Sequence, residues 1–286
     1  MNIKLYLSIL LFTAVSSVSA QPFVYYGQIG SFKFAKSFSV NSLGYIYISD
    51  ISSDEIIKID TLGNVIKSIG GYGWNESSFD QPEDVFASSL NIYVADKNNN
   101  RIQLFDKDLN FLSYFSAQDS DDDKVYFKYP LASAVSPQGD IFILDSDNKR
   151  ILKFNQRWEY QTSIGGFDAG SFSLVNPKHF TLTTDSKILA IDSSNLIIFD
   201  QFGNGIGKIV LPFEPENINS FLQTICVNDK KQIAFFFIKD LESNVFNPTY
   251  FNPELNDDIE DSFIFNSNLF ILTKNTILIY KTIQSH

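Results

Sequence analysis

"IYVADKNNNRIQLFD" spans residues 92–106. A short apolar run ends on Asp96, a polar turn follows, and Arg101 opens a second apolar run. The β-branched and aromatic content of both runs reads as strand, turn, strand. The same frame returns in "IFILDSDNKRILKFN" (141–155) and in "YIYISDISSDEIIKID" (45–60), where Glu55 stands in the arginine's place.

With the aspartate as a marker, Asp50, Asp96, Asp145 and Asp192 follow one another at 46, 49 and 47 residues. "IAFFFIKD" puts Asp240 another 48 on, and "NLFILTKNTILIYK" repeats the frame of "KILAIDSSNLIIFD" with Thr273 as marker, a last step of 33. Self-similarity at a fixed period of this size indicates a repeat architecture. Two strand-like runs lead up to each marker and two follow it, divided by turn formers such as "NSLG", "PQGD" and "TDSK". Four strands of about five to six residues with short turns fill about 45 residues.

The predicted fold class is therefore all-β, a six-bladed β-propeller of four-stranded antiparallel blades. Apolar residues make up 44% and charged residues 19%, enough to build a packed core. The segment "FVYYGQIG" (23–30) reads as a fourth strand without a blade, and the last unit stops after its third strand, "TILIYKT". The N-terminal strand is expected to complete the last blade, which removes the open edges.

The stretch "GGYGWNESSFDQPEDVFASSLNIYVADKNNNRIQLFDKDLNF" (70–111) resembles an NHL repeat, in its Gly-rich opening, Phe79 before Pro82, the "YVAD" strand, the "NNNRI" turn and the aromatic-Asp close. The resemblance implies a binding or scaffold module that recognises protein, peptide or carbohydrate through its loop rim and channel mouth. NHL propellers that bind RNA use a basic face, whereas this chain carries a net charge of −11, so nucleic acid is not expected as a partner. Zinc lyases that resemble NHL propellers use several axial histidines; this chain has two, His179 and His286. Propellers of the gluconolactonase and paraoxonase types hold axial Ca²⁺ with Glu, Asn and Asp. A Ca²⁺-dependent lactonase or esterase is accordingly the alternative reading, and the expectation is no metal, no cofactor and no catalytic residue.

A meander puts the start of each first strand, the second-to-third turn and the end of each fourth strand on one rim. Asp50, Asp96, Asp145 and Asp192, with Arg101 and Arg150, are expected as turn clamps: the carboxylate takes the turn's N–H groups and the arginine pairs across the turn. The starts of the first strands place Lys36, Glu83, Leu131, Lys178 and, in the fifth unit, Cys226 at the channel mouth, with His179 adjacent. Lys36, Glu83, Lys178 and His179 are the expected ligand contacts. Cys226 lies in the apolar "LQTICV" and reads as a small core residue rather than a nucleophile. "QDSDDDK" (118–124) lacks the alternation and Gly of an EF-hand loop; with "NPELNDDIED" (252–261) it adds negative charge to the same rim. Those varied loops mark that rim as the expected working face.

The first residues show one charge in "MNIK", the apolar "LYLSILLFTAV" and the small-residue "SSVSA". Residues 1–20 are expected to be a secretory signal peptide cleaved after Ala20, leaving 21–286 as a single propeller domain. The expectation is then an exported, monomeric protein, periplasmic or extracellular, with no membrane span in the mature chain and a partner in the cell envelope. The single cysteine, Cys226, excludes an internal disulfide.

Overall fold

Second strands such as "IYISD" and "IFILD" are apolar on both faces, so both faces must be covered. A sheet standing between two neighbouring sheets satisfies this. In the computed structural model, which describes residues 23–116, 122, 124–242 and 246–282, the second strands Ile46–Asp50, Ile141–Asp145 and Ile188–Asp192 are buried along their whole length. The outer strand Val65–Gly70, by contrast, has only exposed and half-buried residues.

The described residues form six four-stranded antiparallel sheets in chain order. Blade one is Ala35–Val40, Ile46–Asp50, Glu55–Ile59 and Val65–Gly70. Blade two is Pro82–Ala87, Asn91–Asp96, Arg101–Asp106 and Phe111–Phe115, and blade three is Pro130–Val135, Ile141–Asp145, Arg150–Phe154 and Tyr160–Ile164. Blade four is Pro177–Leu182, Ile188–Asp192, Asn195–Phe199 and Gly205–Val210; blade five is Asn217–Phe221, Thr224–Asn228, Ile233–Phe237 and Thr249–Phe251. Blade six takes Ile259–Phe265, Asn268–Thr273 and Ile277–Thr282 from the C-terminal end and Phe23–Ile29 from the N-terminal end. The pairing runs from Phe23 opposite Thr282 to Ile29 opposite Ile277, and it closes the ring as the sequence suggests.

Among the described residues the buried apolar side chains gather into clusters between neighbouring blades, from Tyr47 with Val85 and Phe105 round to Phe38 with Phe263 and Leu272. The core is thus a ring of interfaces, each burying the flat faces of two sheets. Phe23 of the closing strand packs edge-on against Phe235 and Phe251 of blade five, at 5.3 and 5.4 Å between ring centres.

Blade five differs from the sequence expectation. "IAFFF" is its third strand, and Asp240 lies in the 3₁₀ turn Ile238–Glu242, not at a strand end. The marker position belongs to Asn228, paired with Asn217, so the short step is from Asp192 to Asn228, 36 residues, with 45 more to Thr273. The extra turn after the third strand supplied an aspartate at a misleading distance, while the linker 211–216 is shorter than 71–81 or 165–176. Cys226 is therefore in the middle of a second strand, buried, and not at a channel mouth. Burial, with the Asp261 charge behind it, pushes its thiol pKa up, so it stays a protonated core residue.

Candidate functional site

The marker aspartates reach further than the turn that follows them. Asp50 accepts N–H groups of Lys33 (2.7 Å) and Phe34 (3.1 Å) from the strand entry, and of Ser52 (3.0 Å) and Ser53 (3.2 Å) from its own turn. Asp192 accepts those of Val175 (2.8 Å) and Asn176 (2.6 Å), and Asp145 that of Lys128 (3.2 Å). Each carboxylate thus joins the end of a second strand to the loop arriving from the previous blade.

In blade two the first two N–H groups of the "KNNN" turn are directed away from Asp96. Lys97 and Asn98 donate instead to the carbonyls of Gln81 and Asp80. Asp96 takes Asp80 N–H (2.9 Å), the Asn99 amide (2.9 Å) and Arg101 Nε (2.7 Å). The two terminal nitrogens of Arg101 then donate to the carbonyls of Trp74, Asn75 and Ser78 at 2.8–3.0 Å. Arg150 pairs with Asp145 at 3.1 Å and donates to Tyr126 O at 2.8 Å. In blades two and three the arginine adds a second grip on the inter-blade loop, beside the one that Asp96 and Asp145 already have on it.

At the channel mouth on this rim, Lys36, Glu83, Leu131 and Lys178 all occupy bulges that open their first strands, since the register skips from Ala35 to Ser37, Pro82 to Asp84, Pro130 to Ala132 and Pro177 to His179. Glu260 is the corresponding residue of blade six. The charges answer one another: Lys36 meets Glu260 at 3.3 Å, Glu83 meets Lys97 at 3.0 Å, and Lys178 meets Glu216 and Glu214 at 2.8 and 3.0 Å. In "NPELNDDIED", Asp258 pairs with Lys231 at 2.8 Å and Asp257 with Lys274 at 3.3 Å. Of "QDSDDDK", only Asp122 and Lys124 lie among the described residues.

The cavity of the channel opens at the opposite rim, among the first-to-second-strand turns. It has a volume of about 890 Å³. Its upper wall carries Phe86, Val135, Leu182 and Phe221, and Leu90 and Leu222 stand exposed at its edge. Its floor is Asp84, Ser133, His179 and Asn219. Lys36, Glu83 and Lys178 do not line it; of the four ligand-contact candidates, only His179 does.

Polar side chains from all six inner strands meet at and beneath this floor. Asp84 Oδ1 accepts Ser37 Oγ–H at 2.6 Å, and Asp84 Oδ2 accepts Ser133 N–H at 3.3 Å. Asp261 accepts the Asn219 amide (2.6 Å) and the N–H groups of Ser262 (2.7 Å) and Phe38 (3.2 Å). His179 stands between the two acids, with Nε2 3.5 Å from Asp84 Oδ1. Burial disfavours its cation, but Asp84 and Asp261 outweigh that and leave its pKa raised. Burial likewise pushes Asp261 up to about 7, against the pull of His179 and its N–H donors. Among the described residues no three His, Cys, Asp or Glu side chains are placed to hold a metal ion.

The sequence did carry a trace of this floor. "PEDVF" and "IEDSF" both open a first strand with Glu-Asp, the glutamate in the bulge and the aspartate turned inward, although aspartate is depleted in strands.

A family model described as NHL repeat matches residues 79–105. The Drosophila melanogaster protein brain tumor is 31% identical over 143 residues, 49% of this chain, and the matched part covers 13% of that protein's length. A streptogramin B lyase structure superposes with a TM-score of 0.63 at 11% identity, covering 91% of this chain and 98% of the other. A gluconolactonase from Xanthomonas campestris gives 0.66 at 9% identity, covering 88% and 87%. At such identities the structural likeness defines the fold alone. The chain is a six-bladed β-propeller carrying an NHL repeat.

Proposed function

We propose that the protein is an exported binding propeller that receives a peptide segment of a protein partner in the cavity at the first-to-second-turn rim. The observation that carries this is the contrast between the two ends of the channel. One end has its charges matched in pairs, while the other holds an open cavity with apolar walls over a polar floor, within the range of about 300–1,000 Å³ usual for ligand sites. Phenylalanine, leucine and valine walls suit the side chains of a peptide better than a sugar, and the net charge of −11 opposes a phosphate backbone. Export rests on the layout of residues 1–20, and the single buried cysteine is compatible with an oxidising compartment.

Photo-cross-linking tests which rim is used. A benzoylphenylalanine placed at Leu90 or Leu222 is expected to trap the partner in cells, and one at Tyr72 or Phe167, exposed on the other rim, is not. Adducts from Tyr72 and Phe167 alone would overturn the assignment.

A further inference from the structure

The cavity floor has a specific pattern of hydrogen-bonding capacity that is not used internally. His179 Nδ1 lies 3.0 Å from the Ile218 carbonyl oxygen. A carbonyl only accepts, so Nδ1 carries a proton and Nε2 is the ring atom left to interact elsewhere. Nε2 is close enough to Asp84 to be attracted as an ion, yet it is buried without a hydrogen-bond partner. Ser133 Oγ is buried without one as well, on a residue that is 2% exposed. Buried polar atoms are nearly always paired, so two orphans on one cavity floor mark a place where a partner is missing.

On the floor an acid and a base face each other, Asp84 and His179 at 3.5 Å, and Asp261 stands behind them with its oxygens already taken by Asn219, Ser262 and Phe38. A ligand ion entering this apolar-walled space would lose its water without meeting a net countercharge, which is costly. A neutral polar group pays much less. The unused capacity is of both kinds: a ring N–H that donates, a hydroxyl that donates or accepts, and lone pairs of Asp84 beyond those engaged by Ser37 and Ser133 N–H. An amide, with a C=O acceptor and an N–H donor on one plane, complements that set. Phe86, Leu182 and Phe221 above the floor would hold an apolar body attached to it.

We propose that this floor, through Ser133, His179 and Asp84, selects an uncharged amide group borne on an apolar body, as in a backbone or carboxamide unit of an inserted peptide. The proposal rests on the cavity being the binding site. Four probes with one ring and different tips separate the two claims: benzamide, benzoate, benzylamine and toluene. Binding is followed by NMR through the ring nitrogens of His179, with His286, the other histidine, replaced by His286→Gln. Benzamide is expected to shift the His179 signals and to bind about tenfold more tightly than the other three, the ratio that one added hydrogen bond of about 1.4 kcal/mol supplies. Ser133→Ala, which removes a single hydroxyl and keeps the His179 reporter, should bring benzamide down to the level of toluene while leaving toluene unchanged; His179→Phe, followed by isothermal titration calorimetry because it removes the reporter, should do the same. Tighter binding of benzoate or benzylamine overturns the amide proposal. Equal binding of all four in the cavity overturns it too, but leaves the site standing. Unmoved His179 signals with every probe overturn both.

Discussion

Arg101 holds Asp96 with one nitrogen and the loop 74–78 with the other two. Arg101→Met keeps the stem but leaves Asp96 buried beside fewer donors, and breaking such a pair costs about 3–5 kcal/mol. The expected result is a loss of that order in denaturant unfolding, with faster amide exchange across residues 73–80; unchanged exchange there would contradict the grip. The frame of Asp, turn and Arg was legible because it recurs in the sequence. The loop's carbonyls were not, since they lie over twenty residues away and carry no side-chain signature. At Asp261 the prediction concerns pH. Its folded pKa of about 7 lies above the ordinary carboxyl value of about 3.9. The folded chain therefore keeps a proton that the unfolded chain releases, and this contribution is complete below about pH 4 and lost as the pH rises through about 7. His179, also raised, changes in the same direction nearby. Asp261→Asn has no such proton to lose, so its Tm should gain on that of the wild type between pH 4 and 8. Parallel Tm curves would contradict the buried acid.

Among the elements, the strands of blades one to four follow a regular signal: two-faced apolar second strands, turn residues at fixed offsets, and Asx-type third-to-fourth turns in which Asp60, Asp106 and Asp200 each accept the N–H groups two and four residues on. Blade five broke it, because its third strand "IAFFF" is as apolar as a second strand and the turn after it holds Asp240. The first strands concealed the site for a different reason. A bulge at their entry sends Lys36, Glu83 and Lys178 to one rim and turns Asp84 and His179 inward, and a one-residue change of register is invisible to periodicity alone. The closing strand is the element whose removal should be felt everywhere. Deleting residues 23–29 strips the outer strand of blade six and takes Phe23 from between Phe235 and Phe251. A cooperative drop in Tm of the whole ring is expected by calorimetry; a truncated chain that melts with the full one would show that closure contributes nothing.

At the scale of the molecule, each blade relies on the next for the cover of its apolar faces, and the inner strands of all six blades bring one polar residue each toward the axis: Ser37, Asp84, Ser133, His179, Asn219 and Asp261. The ring was legible as a period, whereas the choice between its two ends depends on which charges find partners across blades, and that needs the fold. The most direct test is a crystal structure of the protein soaked with N-acetyl-leucinamide, a single apolar residue with an amide at each end. The predicted result is the probe in the 890 Å³ cavity, its leucine side chain against Phe86 and Phe221 and an amide over Ser133 and His179. A probe seated instead between Lys36, Glu83 and Lys178, with the cavity empty, would contradict the account.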